Sequence, residues 1–184
     1  MEIIINGKHV EIITGDITAQ PDMAAIVNAA NAQLLSGGGV AGAIHRAAGP
    51  GLERECRPLA PIKPGEAVIT GAHSLPNQYV IHCLGPVYGV NEPAAGLLAS
   101  CYRNALNLAD KYKIESVAFP AISTGIFGYP RQEAAQVAFH TILDMTALLK
   151  YVKKIRMVLY NEDDRIVHEK VLSAILQGIS HSKV

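Results

Sequence analysis

The sequence predicts an α/β fold, a three-layer α/β/α sandwich around a mixed, mostly parallel sheet, and three observations carry that reading. Short apolar runs rich in β-branched residues alternate with stretches whose apolar positions recur at helical spacing, the rhythm that puts helices on both faces of a parallel sheet. An Asn6-Gly7 turn between two apolar runs adds an antiparallel pair at the start. The 184 residues are 49% hydrophobic and 17% charged, the reverse of a disordered chain's balance. Residues 1–177 read as a single domain and 178–184 as a short C-terminal tail, with no internal repeat or linker to divide them.

The first two strands are Ile3 to Ile5 and Val10 to Ile13, joined through the dipeptide that suits a tight hairpin. Ala24 to Ala30 (AAIVNAA) is a continuous apolar run with β-branched Ile26 and Val27, as in a strand buried on both faces. Gly37-Gly38-Gly39 leads into a helix expected from Val40 to about Arg57. Ala67 to Gly71 and Tyr79 to Leu84 are further strands. Pro93 marks the first turn of a helix with Leu98, Cys101, Tyr102, Ala105 and Ala109 on one face.

Ser116 to Phe119 (SVAF) is another buried strand, followed by a loop from Pro120 to Pro130. Pro130 opens a helix with Ala134, Val137, Ala138, Ile142, Met145 and Leu149 on one face. Ile155 to Tyr160 is the last strand. Asn161 and the acidic turn Glu162-Asp163-Asp164 suit the start of a closing helix that runs to Leu176, with the tail from Gly178 expected to fray.

Composition excludes several classes of function. Lys+Arg and Asp+Glu each number 16, so the formal net charge is +0 and there is no basic field to gather nucleic acid or an anionic membrane. Trp is absent and aromatic residues make up 5%, which leaves single-stranded nucleic acid few surfaces to stack on. The longest uncharged stretch, Ala67 to Asn91, is broken by Gly71, Pro76, Gly85, Pro86 and Gly89, so it reads as two strands with turns and not as a membrane span. Cys56, Cys83 and Cys101 form neither a Cys-x-x-Cys pair nor a zinc-like spacing. The N-terminus has no signal-peptide pattern. The expectation is a cytoplasmic monomer with no metal and no cofactor.

Ligands of open α/β sheets sit beyond the carboxyl ends of the strands, so the informative residues follow each strand. Gly37-Gly38-Gly39-Val40 brings bare backbone to a helix N-terminus, where unpaired amides and the dipole favour an anion. It also satisfies Gly-x-Gly-x-x-Gly through Gly42. The six residues Asn31 to Ser36 before the first glycine, and the lack of an acid ending a following strand, argue against a dinucleotide fold. Ser123-Thr124-Gly125-Ile126-Phe127-Gly128 is a second loop of the same type, and two such loops at one edge suit a pyrophosphate.

Asp16 is either a turn-capping residue or an acceptor for an exocyclic base amine. Asn28 and Asn31 either brace the glycine loop or meet a polar ligand, and His45 is either a core histidine or a site residue. His82 and Cys83, inside a strand, read as structural. Lys150, Lys153, Lys154 and Arg156 read as a solvated strand end.

Taken together, GDI (Gly15 to Ile17), NAAN (Asn28 to Asn31), GGGVAGAIHRAAG (Gly37 to Gly49) and PAISTGIFGYP (Pro120 to Pro130) resemble the macrodomain family of ADP-ribose-binding modules, in order from about Ile4 to Leu176. The resemblance implies a six- or seven-stranded sheet and a cleft for ADP-ribose. Asp16 would accept the adenine amine and the Ile17 amide would meet the ring, with Tyr160 as the aromatic wall and Asn161 and Asn28 also in the ligand set. Gly37, Gly38, Gly39 and Val40, facing Ser123, Thr124, Gly125, Ile126 and Phe127, would hold the pyrophosphate, with Phe127 against the distal ribose. Asn31, Gly39 and His45 would serve catalysis, Asn31 by bonding the distal ribose hydroxyls.

The implied activity is hydrolysis, releasing ADP-ribose from acidic side chains of ADP-ribosylated proteins or deacetylating O-acetyl-ADP-ribose. The implied alternative is a non-catalytic ADP-ribose reader. Ala41 stands where the deacetylase branch carries an acid, so slow turnover with the substrate's own phosphate as base is the expectation.

Overall fold

A computed structural model describes residues 1–181. Its elements are β1 (Glu2–Ile5), β2 (Lys8–Thr14), β3 (Ala25–Ala29), α1 (Gly39–Ala48), α2 (Pro50–Cys56), β4 (Ala67–Gly71), β5 (Tyr79–Cys83), α3 (Ala94–Lys111), β6 (Ser116–Phe119), α4 (Arg131–Thr146), β7 (Lys154–Leu159) and α5 (Glu162–His181). The strands form one 7-stranded sheet in the order β1-β2-β7-β6-β3-β5-β4. The five central strands, β2, β7, β6, β3 and β5, run parallel, and β1 and β4 pair antiparallel at the two edges. The hairpin at Asn6-Gly7 accounts for the first edge. The antiparallel edge at β4 adds to the expected topology, because no local turn announces it.

The period of two along each strand divides the core into two layers. Val10, Ile12, Val27, Ile81, Val117, Phe119, Ile155 and Met157 pack against α3, α4 and α5 on one face. Ile26, Val80, Ala118 and Val158 face the other way, toward Ile44 and Ala48 of α1 and Leu52 and Cys56 of α2. The sandwich is therefore three-layered, as expected, with a thinner layer on the α1/α2 side. Among the described residues no helix is long and apolar enough to cross a membrane.

Two helices differ from the sequence expectation. The helix expected from Val40 to Arg57 is broken at Gly49, which takes φ 80 and ψ 179, a combination open essentially to glycine alone; Pro50 then begins α2, where its missing N–H costs nothing. The apolar pattern of the two pieces runs on across the break, which hides it. The closing helix expected to end at Leu176 continues to His181, and residues 182–184 of the tail lie outside the described residues.

Candidate functional site

Because β2, β7, β6, β3 and β5 are parallel, the loops that leave their carboxyl ends all emerge along one edge. The loop from Asn31 to Gly38 leaves β3, and Pro120 to Pro130 leaves its neighbour β6. Gly15-Asp16 leaves β2 and Tyr160-Asn161 leaves β7, joined by the Gly15 N–H donating to the Leu159 carbonyl at 2.9 Å. Val40 of the glycine loop and Phe127 of the second loop rest on the same apolar cluster, which also holds Ile17, Ala118 and Val158. The two loops are thus neighbouring lips at one edge of the sheet.

The first lip ends in a helix N-terminus that nothing caps. Gly38 is the N-cap of α1, no side chain bonds to it, and the first turn has no acid. The first helical bond is the Gly42 N–H to the Gly38 carbonyl at 3.2 Å, so the amides before it have no partner within the helix. Asn31 braces the lip from below: its Nδ2 donates to the Leu35 carbonyl at 2.8 Å and its Oδ1 accepts the Leu35 N–H at 3.0 Å. One hydrogen and one lone pair of that carboxamide are left over.

Within this lip the glycines have separate reasons. Gly39 takes φ 55, the left-handed region. A β-carbon on Gly38 would meet nothing within 4 Å, so its bareness leaves open space in front of the backbone. Gly42 is the opposite case: a β-carbon there would lie 2.1 Å from the Gly37 carbonyl oxygen.

In the second lip, Gly128 N–H donates to the Gly125 carbonyl at 3.0 Å and Tyr129 N–H to the Ser123 carbonyl at 2.9 Å, closing a compact turn. Among the described residues, the backbone amides of Ser123 to Phe127 donate to nothing in the chain. The Thr124 hydroxyl donates to the Ala121 carbonyl at 3.2 Å, whereas the buried Ser123 hydroxyl has no partner. Gly125 faces open space and Ile126 is 94% exposed above it. Neither lip, over residues 31–42 and 120–128, contains an ionisable side chain.

At the β2/β7 end, Asp16 is exposed and plays part of the turn-capping role. Its Oδ1 accepts both the Thr18 N–H at 2.8 Å and the Thr18 hydroxyl at 2.7 Å, and its Oδ2 is free among the described residues. Ile17 is buried beneath it. Tyr160 stands 90% exposed at the end of β7. Among the described residues, no group of three or more His, Cys, Asp or Glu side chains is placed to hold a metal.

Three residues of the expected site do other work in the structure. Asn161 is the cap of α5, its Oδ1 accepting the Asp164 N–H at 2.8 Å and its Nδ2 donating to the Asp164 carboxylate at 3.0 Å. Asn28 is fully enclosed on the α1/α2 side of the sheet, where its Nδ2 meets His82 Nδ1 at 3.1 Å. His45 is enclosed in the same layer, its Nε2 without a partner among the described residues, and burial pushes its pKa down. A strand period of two sends Asn28 inward with Ile26, and a helical period sends His45 inward with Ala41 and Ala48.

The buried polar chain has a readable proton order. The Thr70 hydroxyl donates its single proton to the Gly71 carbonyl at 3.0 Å, so it accepts from His82 Nε2 at 2.9 Å. His82 Nδ1 is then an acceptor for Asn28, and the imidazole is neutral. Burial, with His45 nearby as a like charge, pushes the His82 pKa down to about 3.

A family model described as Macro domain matches residues 27–138, from β3 through both lips into α4. The chain belongs to the macro domain family. A macro domain-containing protein of Chlorobaculum tepidum is 48% identical over 166 residues, covering 90% of this chain and 96% of its own. An O-acetyl-ADP-ribose deacetylase of Cronobacter sakazakii is 45% identical over 169 residues, covering 89% and 93%. Among solved structures, the Oceanobacillus iheyensis macrodomain with ADP has a TM-score of 0.93 at 40% identity and covers 97% of each chain. The Trypanosoma brucei macrodomain in complex with ADP-ribose has a TM-score of 0.80 at 37% identity, covering 88% of this chain and 68% of its own.

For this macro domain, sequence reasoning places both lips and Asp16 at the edge where they stand. It misses Gly42 as a structural part of the first lip and Gly85 beside the second. The signal for Gly42 was present as the third glycine of Gly-x-Gly-x-x-Gly; Gly85 had only the Gly-Pro pair after a strand.

Two outcomes follow for stability. In an open helix, Gly42→Ala would gain about 1 kcal/mol; here overpacking against the Gly37 carbonyl costs about 1–3 kcal/mol, so thermal melting should show a lower Tm. A higher Tm would mean that the lip yields freely. The folded His82 value of about 3 lies below the 6.5 of a free imidazole. Its contribution is therefore complete above pH 6.5 and is lost as pH falls toward 3. In a Tm-versus-pH series, His82→Gln should flatten that acid limb, and an unchanged slope would assign the limb to other groups.

Proposed function

We propose that this macro domain binds ADP-ribose and hydrolyses the ester on its distal ribose, in O-acetyl-ADP-ribose and in mono-ADP-ribosylated acidic side chains. One observation carries the reading: two amide-lined lips without side-chain caps leave adjacent parallel strands at one edge of the sheet, and neither contains an ionisable side chain of its own. Amides at a helix N-terminus suit a diphosphate. The free Oδ2 of Asp16 suits the adenine amine, beside the exposed ring of Tyr160. The relatives named as O-acetyl-ADP-ribose deacetylases and the solved macrodomains with ADP and ADP-ribose support the same ligand class.

Hydrolysis would need a water held against the reacting carbon and an acceptor for its proton. The lips contribute positioning, the spare hydrogen and lone pair of Asn31 reach for the distal ribose hydroxyls, and a diphosphate oxygen takes the proton. Neither lip contains an ionisable side chain, which is in keeping with a base supplied by the substrate's own phosphate.

The reader alternative is favoured by a specific feature: Ala41, in the first turn of α1, is apolar and buried. Incubation with O-acetyl-ADP-ribose and with a Glu-linked ADP-ribosylated peptide separates the two. Released product supports the hydrolase, whereas retained ester together with calorimetric ADP-ribose binding leaves only the reader.

Asp16→Ala should remove a charge-assisted bond of about 1.5–3 kcal/mol and weaken ADP-ribose about ten- to a hundredfold without unfolding the domain. An unaltered Kd takes Asp16 out of the adenine site. Asn31→Ala should lower kcat more than it raises KM; an equal fall in affinity and turnover would restrict Asn31 to binding.

A further inference from the structure

The connection from Leu84 to Asn91, between β5 and α3, has no role in the reading above, yet it grips the second lip at both ends. A β-carbon on Gly85 would lie 2.1 Å from the Ser123 Oγ and 2.6 Å from Ile122 Cγ2. A side chain at this position would have to displace the Ser123 hydroxyl and the Ile122 methyl, and with them the start of the lip. At the far end of the lip, Tyr88 N–H donates to the Phe127 carbonyl at 2.9 Å. The Tyr88 ring lies against the Tyr129 ring with centroids 4.8 Å apart, and the connection holds its own turn through Val87 N–H donating to Asn91 Oδ1 at 2.8 Å.

Ser123, the residue that Gly85 touches, carries two unfavourable features at once. Its φ is 66, a left-handed conformation that disfavours any residue with a β-carbon, and its enclosed hydroxyl has no partner among the described residues. A conformation of this kind persists only where the surroundings over-determine it. The φ at Ser123, together with its ψ, relates the peptide before it to the peptide after it, and so bears on the direction in which the unpaired amides of the lip point.

We propose that Gly85 and Tyr88 are positioning residues: the Leu84–Asn91 connection clasps the lip, holds Ser123 in its left-handed conformation and so aims the lip at a diphosphate. The inference rests on the proposed binding of ADP-ribose. Gly85 sets the start of the lip through the Ser123 side chain, and Tyr88 sets its end through the Phe127 carbonyl and the Tyr129 ring.

Calorimetric ADP-ribose titrations of the unaltered protein, Gly85→Ala, Ser123→Ala and the double variant, each with its Tm, test the clasp. Gly85→Ala should weaken binding at least about tenfold, while the double variant should bind within about twofold of Ser123→Ala, because contacting residues do not act additively. The Ile122 contact persists in both backgrounds and should appear as a similar Tm loss in each. Wild-type affinity in Gly85→Ala, or losses that multiply in the double variant, overturns the clasp and leaves the functional reading standing. No ADP-ribose binding by the unaltered protein overturns both. Where Gly85→Ala does not fold, Tyr88→Pro, which removes both the N–H that bonds the Phe127 carbonyl and the ring that meets Tyr129, should still weaken binding with the domain intact, and an unchanged Kd there overturns the proposal.

Discussion

Backbone amides need acceptors, and this fold leaves two sets of them without one at the same place. In most of the chain the requirement is met by sheet ladders, by helices and by side-chain caps such as Asn161 on α5. At the start of α1 and across Ser123 to Phe127 it is met by nothing among the described residues. Both sets stand at the carboxyl ends of adjacent strands β3 and β6, and only parallel strands can deliver both to one edge. The placing of the two lips side by side is therefore a consequence of strand order.

Lips that carry no cation of their own have a distinct character as proposed donors. Amides and a helix dipole are fixed in direction, whereas Lys and Arg reach for charge over a range of geometries. The conspicuous buried cation, Arg156, is spent elsewhere, held by Glu11 at 2.7 Å and by Asp22 at 2.6 Å from β7's first half. Donors of this kind select shape before charge, the property that the proposed diphosphate site would draw on.

Selection by shape requires the lips to be held, and glycine does so in two contrasting ways. Gly38 and Gly125 face open space, so their bareness serves whatever approaches from outside. Gly42 and Gly85 sit against the backbone carbonyl of one lip and the serine hydroxyl of the other, so theirs serves packing within the chain. Asn31 adds a side-chain brace below the first lip and Tyr88 a main-chain bond beside the second. Beneath them the neutral Asn28–His82–Thr70 chain ties β3, β5 and β4 together through a layer otherwise filled by apolar side chains.

What the sequence by itself determined was local: the Asn6-Gly7 hairpin, the central strands, most helix starts and the chemistry of the two glycine-rich loops, because turn residues and periodicity act over a few neighbours. The order of the strands was decided only in the tertiary structure, including the antiparallel edge at β4, because pairing joins segments far apart in the chain. The same holds for inward and outward. Asn28 and His45 are polar residues whose positions on a strand and a helix turn them into the α1/α2 layer, and no composition rule separates them from Asn31, which lies on the lip. Gly49 ended a helix that the apolar pattern carried onward, since a backbone angle leaves no trace in hydrophobic spacing. The reason Gly85 must lack a side chain lies in Ser123, 38 positions away in the sequence and in direct contact in the fold.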